Sequence, residues 1–177
     1  MRKRHQPDKM LLRDRIADSR ERLYRVALAW CNDEMLADDL AQETVATDIA
    51  KRQQLQDPSK MFAWLYTILN NKWHRYLQQK KLLYDTLDDQ LPSHHSGPSA
   101  QCQELELVAR VRHVVATLPM KERQVISLID LEELTYGDVG KALNIPIGTV
   151  MSRLHRARKR FMEKIEDTTS TCLVQES

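Results

Sequence analysis

The sequence predicts an all-α protein built from two small helical domains that are joined by a flexible linker. Apolar residues recur every three or four positions in both halves of the 177-residue chain, and strand-like alternation is absent. A polar, turn-rich segment separates the two periodic halves. We therefore expect one domain at residues 8–81, a linker at 82–103 and a second domain at 104–166.

Three helices are expected in the first half. Helical spacing predicts the first helix over about residues 9–30, and Asn32 or Asp33 can cap a second helix that continues through Ala50. A polar connection follows, and Pro58 is tolerated in the first turn of the third helix. The apolar stripe of this third helix is the clearest in the first half and comprises Met61, Trp64, Leu65, Ile68, Leu69, Trp73, Tyr76 and Leu77.

The second half resumes helical spacing after the linker. One helix is predicted from about Leu105 to Leu118-Pro119, and a short helix follows through Ile129. Between Leu134 and Phe161 the pattern predicts a pair of helices joined by a tight turn. The second helix of this pair has an apolar stripe formed by Val150, Leu154, Ala157, Phe161 and Ile165.

This pair has the features of a helix-turn-helix. Thr135 can cap the first helix, and Asp138 three residues later approximates a capping box. Gly140 is small where the two helices must approach closely. The segment Asn144-Ile145-Pro146 ends the first helix.

The face opposite the apolar stripe of the second helix is polar and basic, at about 100° per residue. A recognition helix reads base edges with its N-terminal residues and grips phosphates with the remainder. The alternative is a basic helix on a solvated face, but the turn, the small glycine and the basic face coincide. The base-reading candidates are Met151, Ser152, His155 and Arg156, and the phosphate candidates are Thr149, Arg153, Arg158, Lys159 and Arg160.

The charges are separated along the chain, although the formal net charge is only +2. Residues 33–48 carry six acids and no Lys or Arg, whereas residues 144–160 carry five Lys or Arg and no acid. This separation indicates two partner surfaces, one for a basic partner and one for nucleic acid.

Both halves resemble a known family. Leu134–Gly140 and Ile145–Arg158, approached by Leu118-Pro119 and Glu122–Val125, resemble region 4 of the extracytoplasmic-function sigma factors of RNA polymerase. Asp38–Thr44 is similar to the acidic helix of region 2 in that family. Phe62–Ile68, together with Asn71, is similar to its promoter-melting helix.

The chain departs from the family pattern in two places. Asp138-Val139-Gly140 stands where members usually have Glu-Ile-Ala. In the promoter-melting helix, members often have an acid near Arg75 and more arginine where Gln78 and Gln79 stand. The first change is conservative, and the second affects the details of upstream-element contacts rather than the resemblance.

The resemblance implies that the protein binds RNA polymerase core and directs it to promoters. The acidic region 2 helix would dock on the clamp helices of the largest subunit. The alternative is that its acids serve only to stabilise the N-terminal half of the helix through the helix dipole. The melting helix would bind the −10 element, with Trp64 and Trp73 packing in the core rather than stacking on bases. The polymerase-binding candidates are Asp38, Asp39, Gln42 and Glu43, and the −10 candidates are Asn71, Lys72, Arg75, Lys80 and Lys81.

Other functions fit the sequence less well. No glycine-rich phosphate loop, metal constellation or nucleophile elbow is present, so we expect neither an enzyme nor a cofactor, metal or small-molecule substrate. His94, His95 and Cys102 are interpreted as incidental, and three cysteines at irregular spacing fit a reduced cytoplasm. The alternatives are a helix-turn-helix regulator acting without polymerase and an adaptor that mimics a sigma factor. An anti-sigma factor is a further expected partner, as the resemblance implies.

Overall fold

The computed structural model describes residues 9–51, 55, 57–84 and 103–174. No β-strand occurs within these ranges, so the all-α prediction is confirmed, and none of the helices described is long and apolar enough to cross a membrane. The helices are α1 (Lys9–Cys31), α2 (Glu34–Lys51), α3 (Met61–Tyr84), α4 (Gln103–Thr117), α5 (Met120–Ile126), α6 (Tyr136–Leu143) and α7 (Ile147–Val174), with a 3₁₀ turn at Pro58–Lys60 and a π-helical turn at Ser127–Leu131.

The first half is a three-helix unit in which α2 packs against both α1 and α3. Between α1 and α2, Asn32 has a φ of 52°, and the Asp33 carboxylate accepts a 3.0 Å hydrogen bond from the Leu36 N–H. Of the two residues predicted to cap α2, Asn32 and Asp33, it is therefore Asp33 that forms the cap. The buried stripe of α1 comprises Leu23, Val26, Ala27 and Trp30, which are spaced as one face of a helix.

Two helices extend past their predicted ends. Helix α3 ends at Tyr84 rather than at Lys81, because no glycine or proline interrupts residues 82–84. Helix α7 likewise continues past Glu166 to Val174 through a stretch without helix-breaking residues. The first three residues of the expected linker are therefore helical, and its residues 85–102 lie outside the described ranges.

The short helix of the second half differs from the prediction in its winding. Helix α5 ends at Ile126, and the chain continues as the π-helical turn Ser127–Leu131 instead of remaining α-helical through Ile129. The wider turn ends in Glu132 and Glu133, and Glu133 has a φ of 55°. This geometry turns the Glu132 side chain toward the first half of the protein.

The two halves, which the sequence predicts as separate domains, pack against each other around one continuous apolar core. Helix α3 lies along α6, where the Asn70 amide reaches the Ala142 carbonyl oxygen at 3.4 Å. The Trp30 indole N–H donates to the Ser127 hydroxyl at 2.8 Å, in a fully buried position. Residues of the first and second halves therefore share one interior in this arrangement.

Glu132 forms the densest polar contact between the halves. Its side chain is fully buried and accepts hydrogen bonds from Arg22 Nε at 2.6 Å, Arg25 Nη2 at 3.3 Å and the Tyr66 hydroxyl at 2.6 Å. The Arg22 guanidinium also lies 3.6 Å from the centroid of the Phe62 ring. Sequence reasoning missed this cluster, because Glu132 lies 66 to 110 residues from the side chains that donate to it.

Candidate nucleic-acid interface

The helix-turn-helix begins at Thr135, as predicted. The Thr135 hydroxyl accepts a 3.2 Å hydrogen bond from the Asp138 N–H and donates to the Asp138 carboxylate at 2.7 Å. The predicted capping box is thus only half formed, because the Asp138 carboxylate binds the Thr135 hydroxyl and Lys60 rather than reaching back to the backbone. These bonds lower the pKa of Asp138 although its burial acts in the opposite direction.

The turn between α6 and α7 requires two special residues. Asn144 ends α6 in the left-handed conformation with a φ of 53°, and the Ile145 N–H then donates to the Gly140 carbonyl at 2.9 Å. A Cβ atom on Gly140 would lie 3.0 Å from the Ile145 carbonyl oxygen. The prediction that Gly140 is small because of a close approach is therefore confirmed.

Helix α7 has one buried and one exposed face. Val150, Leu154 and Ala157 are buried, which confirms the predicted apolar stripe. On the other side, the four residues predicted to read bases are all exposed, and the Met151 side chain is 53% accessible. The Ser152 hydroxyl donates to the Thr149 carbonyl oxygen within the helix.

Three of the predicted DNA-binding arginines have acidic partners in the chain. Arg156 and Arg160 both contact the buried Glu122 carboxylate, at 3.4 Å and 2.8 Å. Arg158 pairs with Asp130 through two hydrogen bonds, which raise the pKa of the guanidinium. These acids place and orient the arginines on the exposed face, and sequence reasoning did not identify them.

The acidic face of α2 is exposed but also has partners. Asp38 accepts hydrogen bonds from Arg20 at 2.5 Å and from Gln42 at 2.6 Å. Glu43 accepts from the Lys72 ammonium at 3.0 Å. Asp39 and Glu43 are exposed on the same face of the helix. Because exposed ion pairs are weak, a cation of a binding partner could replace the cation from this chain at little cost in free energy.

A groove of about 470 Å³ separates α2 from α3 and brings two predicted sites together. Asp39 and Glu43 line one side, and Lys72 and Arg75 line the other. The predicted polymerase-binding and −10 surfaces thus meet in this groove, which the sequence alone did not indicate. The remaining −10 candidates do not line the groove: Asn71 and Lys81 are exposed, and Lys80 is half-buried with its ammonium 5.9 Å from the Tyr76 ring.

Only one of the two α3 tryptophans that were predicted to pack in the core lies in the core cluster. Trp73 is buried and stacks on Tyr76 with ring centroids 5.6 Å apart, which confirms the packing prediction for this residue. Trp64 is half-buried. In the described ranges no three His, Cys, Asp or Glu side chains are grouped as metal ligands. His94, His95 and Cys102 lie outside those ranges.

Comparisons with known proteins identify both halves. The family models for sigma-70 region 2 and for sigma-70 region 4 match residues 16–82 and 109–161. The chain is 27% identical over 154 residues to the ECF RNA polymerase sigma factor SigE of Mycolicibacterium smegmatis, covering 85% of this chain and 60% of SigE. It is 27% identical over 159 residues to the ECF RNA polymerase sigma factor SigW of Bacillus subtilis, covering 84% of this chain and 85% of SigW.

Solved structures with a similar fold include a sigma factor bound to its regulator. It is the sigma factor RpoE in its co-crystal structure with the anti-sigma factor NepR from Bartonella quintana, with a TM-score of 0.71 and 23% sequence identity. The similarity covers 88% of this chain and 96% of that chain, so it includes both halves.

The two matched regions follow each other in family order and together cover most of the chain, which belongs to the sigma-70 family of RNA polymerase sigma factors. Within that family it falls in the extracytoplasmic-function group, as its relatives do. The region 2 match accounts for the acidic helix and α3, which a helix-turn-helix regulator without polymerase leaves unexplained.

Proposed function

We propose that this sigma factor binds RNA polymerase core and directs it to promoters by contacting the −35 element with α7 and the −10 element with α3. The observation that carries the proposal is the presence of regions 2 and 4 in one chain, each with its expected binding face exposed. The chain acts as a specificity subunit and has no catalytic role, cofactor or small-molecule substrate of its own.

Contact with the −35 element is assigned to the exposed face of α7. Met151, Ser152, His155 and Arg156 project from its N-terminal half, where a recognition helix meets base edges. Thr149, Arg153, Arg158, Lys159 and Arg160 are assigned to phosphates. Exchange of Asp130 and Glu122 for phosphate oxygens would keep the arginines paired when DNA arrives.

Docking on polymerase is assigned to Asp38, Asp39, Gln42 and Glu43 of α2. The exposure of Asp39 and Glu43 supports this role, since arginines of a helical partner could reach both. The clamp helices of the largest subunit are the expected partner. Glu43 forms an ion pair with Lys72. Docking would therefore release Lys72 for DNA, because a cation of the polymerase would take its place on Glu43.

The −10 element is assigned to α3 and the turn before it. Melted DNA is held by cationic grooves and by pockets for extruded bases. Asn71 is the candidate for a base pocket, and Lys72, Arg75, Lys80 and Lys81 are the candidates for phosphates. Lys72 and Arg75 lie in the groove with the acids of α2, so their contact with DNA is expected only after polymerase has engaged those acids.

An anti-sigma factor is the proposed regulator, and the cytoplasm is the proposed location. The fold similarity to a sigma factor solved with the anti-sigma factor NepR supports the first proposal. The family assignment supports the second, because transcription takes place beside the chromosome.

Reconstitution with purified polymerase core tests the function. We expect the protein to bind core and to produce transcripts with defined starts from chromosomal templates, with permanganate-reactive thymines at the −10 element. Replacement of Asn71 and Lys72 by Ala should reduce the opening of the −10 DNA more than it reduces recognition of the −35 element. Asn144→Ala is not a suitable control, because Asn144 shapes the turn of the helix-turn-helix. Tight duplex binding without core-dependent melting would support the helix-turn-helix regulator instead.

A further inference from the structure

One buried carboxylate on α5 faces two of the arginines assigned to DNA. The Glu122 side chain is only 7% exposed, and its two oxygens have different partners. Oε1 lies 3.4 Å from the Arg156 Nε, and Oε2 accepts a 2.8 Å hydrogen bond from the Arg160 Nη1. The two arginines are four residues apart on α7, so they project from the same side of that helix on successive turns. A single negative charge therefore holds their guanidinium groups side by side.

The backbone that carries Glu122 is fixed by its neighbours. Its own N–H donates to the Pro119 carbonyl oxygen at 2.9 Å, in the first turn of α5. The adjacent Arg123 side chain donates to the Leu118 carbonyl oxygen at 2.9 Å. Helix α5 packs against α7, and Val125 is wholly buried. The carboxylate is thus presented to α7 from a rigid element, which is the condition for positioning another side chain.

The contacts with acids engage different edges of the arginines. Arg156 meets Glu122 through Nε, so this contact uses neither of its two Nη groups. Arg160 instead uses Nη1 for Glu122, and Arg158 uses both Nε and Nη2 for Asp130. An arginine reads guanine by presenting two N–H donors to the O6 and N7 atoms. Among these described contacts, that of Arg156 is the one that leaves both Nη groups available for a base.

Burial decides which arginine stays on Glu122 when DNA binds. An ionised carboxylate in the interior is strongly destabilised without a cation beside it. Arg160 is assigned to a phosphate, so its transfer to DNA would leave Arg156 as the cation next to Glu122. Arg156 can stay there through Nε while its Nη groups contact a base, because the donors of a guanidinium point along different edges of its plane.

We propose that Glu122 is a positioning residue for −35 recognition, which holds Arg156 in its base-reading orientation and restrains Arg160 from binding phosphates of any sequence. This role rests on the function proposed above. The positioned Arg156 gives a preference for one base pair, and the ion pair of Arg160 lowers the affinity for all DNA. Asp130 lacks the first role, because its partner Arg158 is assigned to phosphate.

Glu122→Gln tests the proposal, because the amide keeps the shape of the side chain and removes its charge. The matched comparison is Asp130→Asn, which removes the same charge from the partner of Arg158. Each protein is reconstituted with polymerase core, and the holoenzyme is titrated with a promoter that has the intact −35 element, with single-base variants of that element, and with a promoter that has an unrelated −35 sequence. All templates share one −10 element and one spacer.

We expect Glu122→Gln to lose discrimination at one position of the −35 element by about fivefold or more, the lower end for a bidentate base contact. Its affinity for the promoter with the unrelated −35 sequence should rise about two- to fivefold, since the ion pair of Arg160 no longer competes with phosphate. Asp130→Asn should show a similar rise in affinity and keep the wild-type preference at every position.

The same substitution in an Arg156→Ala background shows whether Glu122 acts through Arg156. In that background Glu122→Gln should change no base preference, and its effect on the unrelated sequence should persist. A further loss of discrimination there would overturn the positioning role, as would wild-type preference in Glu122→Gln alone. Unchanged affinity of Glu122→Gln for the unrelated sequence would overturn the restraint of Arg160. A wild-type holoenzyme without any −35 preference would overturn the proposed function itself, and the role of Glu122 with it.

Folding is checked by circular dichroism. Should Glu122→Gln lose helix content, Glu122→Asp provides the second variant, because it keeps the charge and shortens the side chain by one methylene group. The retracted carboxylate should no longer reach Arg156, so discrimination at the same −35 position should fall. A Glu122→Asp holoenzyme with native helix content and wild-type discrimination would then overturn the proposal.

Discussion

The Tyr66 hydroxyl donates a 2.6 Å hydrogen bond to the Glu132 carboxylate, and this bond joins α3 of region 2 to the turn that precedes the helix-turn-helix. Both side chains are buried. Burial raises the pKa of the Tyr66 phenol above its ordinary value of 10.0, and the neighbouring Glu132 raises it further, while Arg22 acts in the opposite direction. The neutral phenol is therefore the form that the folded protein requires.

The pH dependence of stability should reveal this bond. Because the pKa of Tyr66 is raised on folding, its contribution is fully present below about pH 10 and is lost as the pH rises above that value, by up to about 1.4 kcal/mol per unit. Tyr66→Phe should cost about 1–3 kcal/mol at pH 7 and show a smaller alkaline loss. Urea unfolding at pH 7–11 measures both effects. An identical alkaline loss in the two proteins would contradict the assignment.

Gly140 and Gly148 form a matched pair for testing the helix-turn-helix. An added Cβ at Gly140 would press on the Ile145 backbone oxygen, which cannot move without disturbing the turn, whereas a Cβ at Gly148 meets nothing within 4 Å. We expect Gly140→Ala to destabilise the protein by about 1–3 kcal/mol. Gly148→Ala should be neutral or slightly stabilising. Thermal unfolding of both variants provides the measurement, and equal melting temperatures would contradict the close approach.

The extent to which sequence predicts this molecule follows from the range of each interaction. The Thr135 cap, the small Gly140 and the α7 stripe depend on residues within a few turns of each other, so their periodicity and spacing were sufficient. The π-helical turn at Ser127–Leu131 has no comparable local signal. The sequence did not predict that helices end at Tyr84 and Val174, because no glycine or proline next to these residues marks where the helix stops.

Long-range pairs were beyond sequence reasoning. Glu132 looks like one of two consecutive surface acids, and only the packing of region 4 on region 2 buries it against Arg22 and Tyr66. In the sequence, Glu122 stands out only as part of a segment that resembles the family, although in the structure it pairs with two arginines of α7. A single sequence carries no information on such partners, because neither spacing nor composition connects them.

Cys31 should be unreactive at neutral pH. Burial raises the pKa of its thiol to about 11, although a hydrogen bond with the backbone of Asp33 acts in the opposite direction. At pH 8 about 0.1% of the thiol would then be thiolate, against about 10% at the ordinary value, so alkylation should be about 100-fold slower. A variant with Cys102 and Cys172 replaced by Ser isolates the rate for Cys31. A rate equal to that of the urea-unfolded variant at the same pH would contradict the burial.

Charge reversal tests the polymerase-binding surface. Asp39→Lys with Glu43→Lys should weaken core binding by several kcal/mol, because cations would then face the basic partner. The Glu43→Lys change also places a second ammonium beside Lys72, but both groups are near the surface and the helix content should change little. Glu133→Lys is the control for the same change in charge at an exposed acid elsewhere. Unaltered affinity for core in the double variant would remove α2 from the docking surface.

Arg156 and Lys159 separate base reading from phosphate binding on α7. Both are exposed on the same side of the helix, but Arg156 lies one turn closer to its N-terminus and is oriented by Glu122. Arg156→Ala in the holoenzyme should cost about 1–3 kcal/mol and relax preference at one position of the −35 element. Lys159→Ala should weaken binding to all sequences and lower the salt slope by about one unit.

Binding of the two holoenzymes to a panel of single-base −35 variants at several salt concentrations distinguishes these effects. The control is Lys141→Ala, since Lys141 is exposed on α6 and none of the DNA contacts is assigned to it. If Arg156→Ala and Lys159→Ala both lose affinity equally for every sequence, Arg156 is a phosphate contact. The base-reading face of α7 would then be rotated toward Met151 and His155, because both side chains are exposed on the same helix near its N-terminal end.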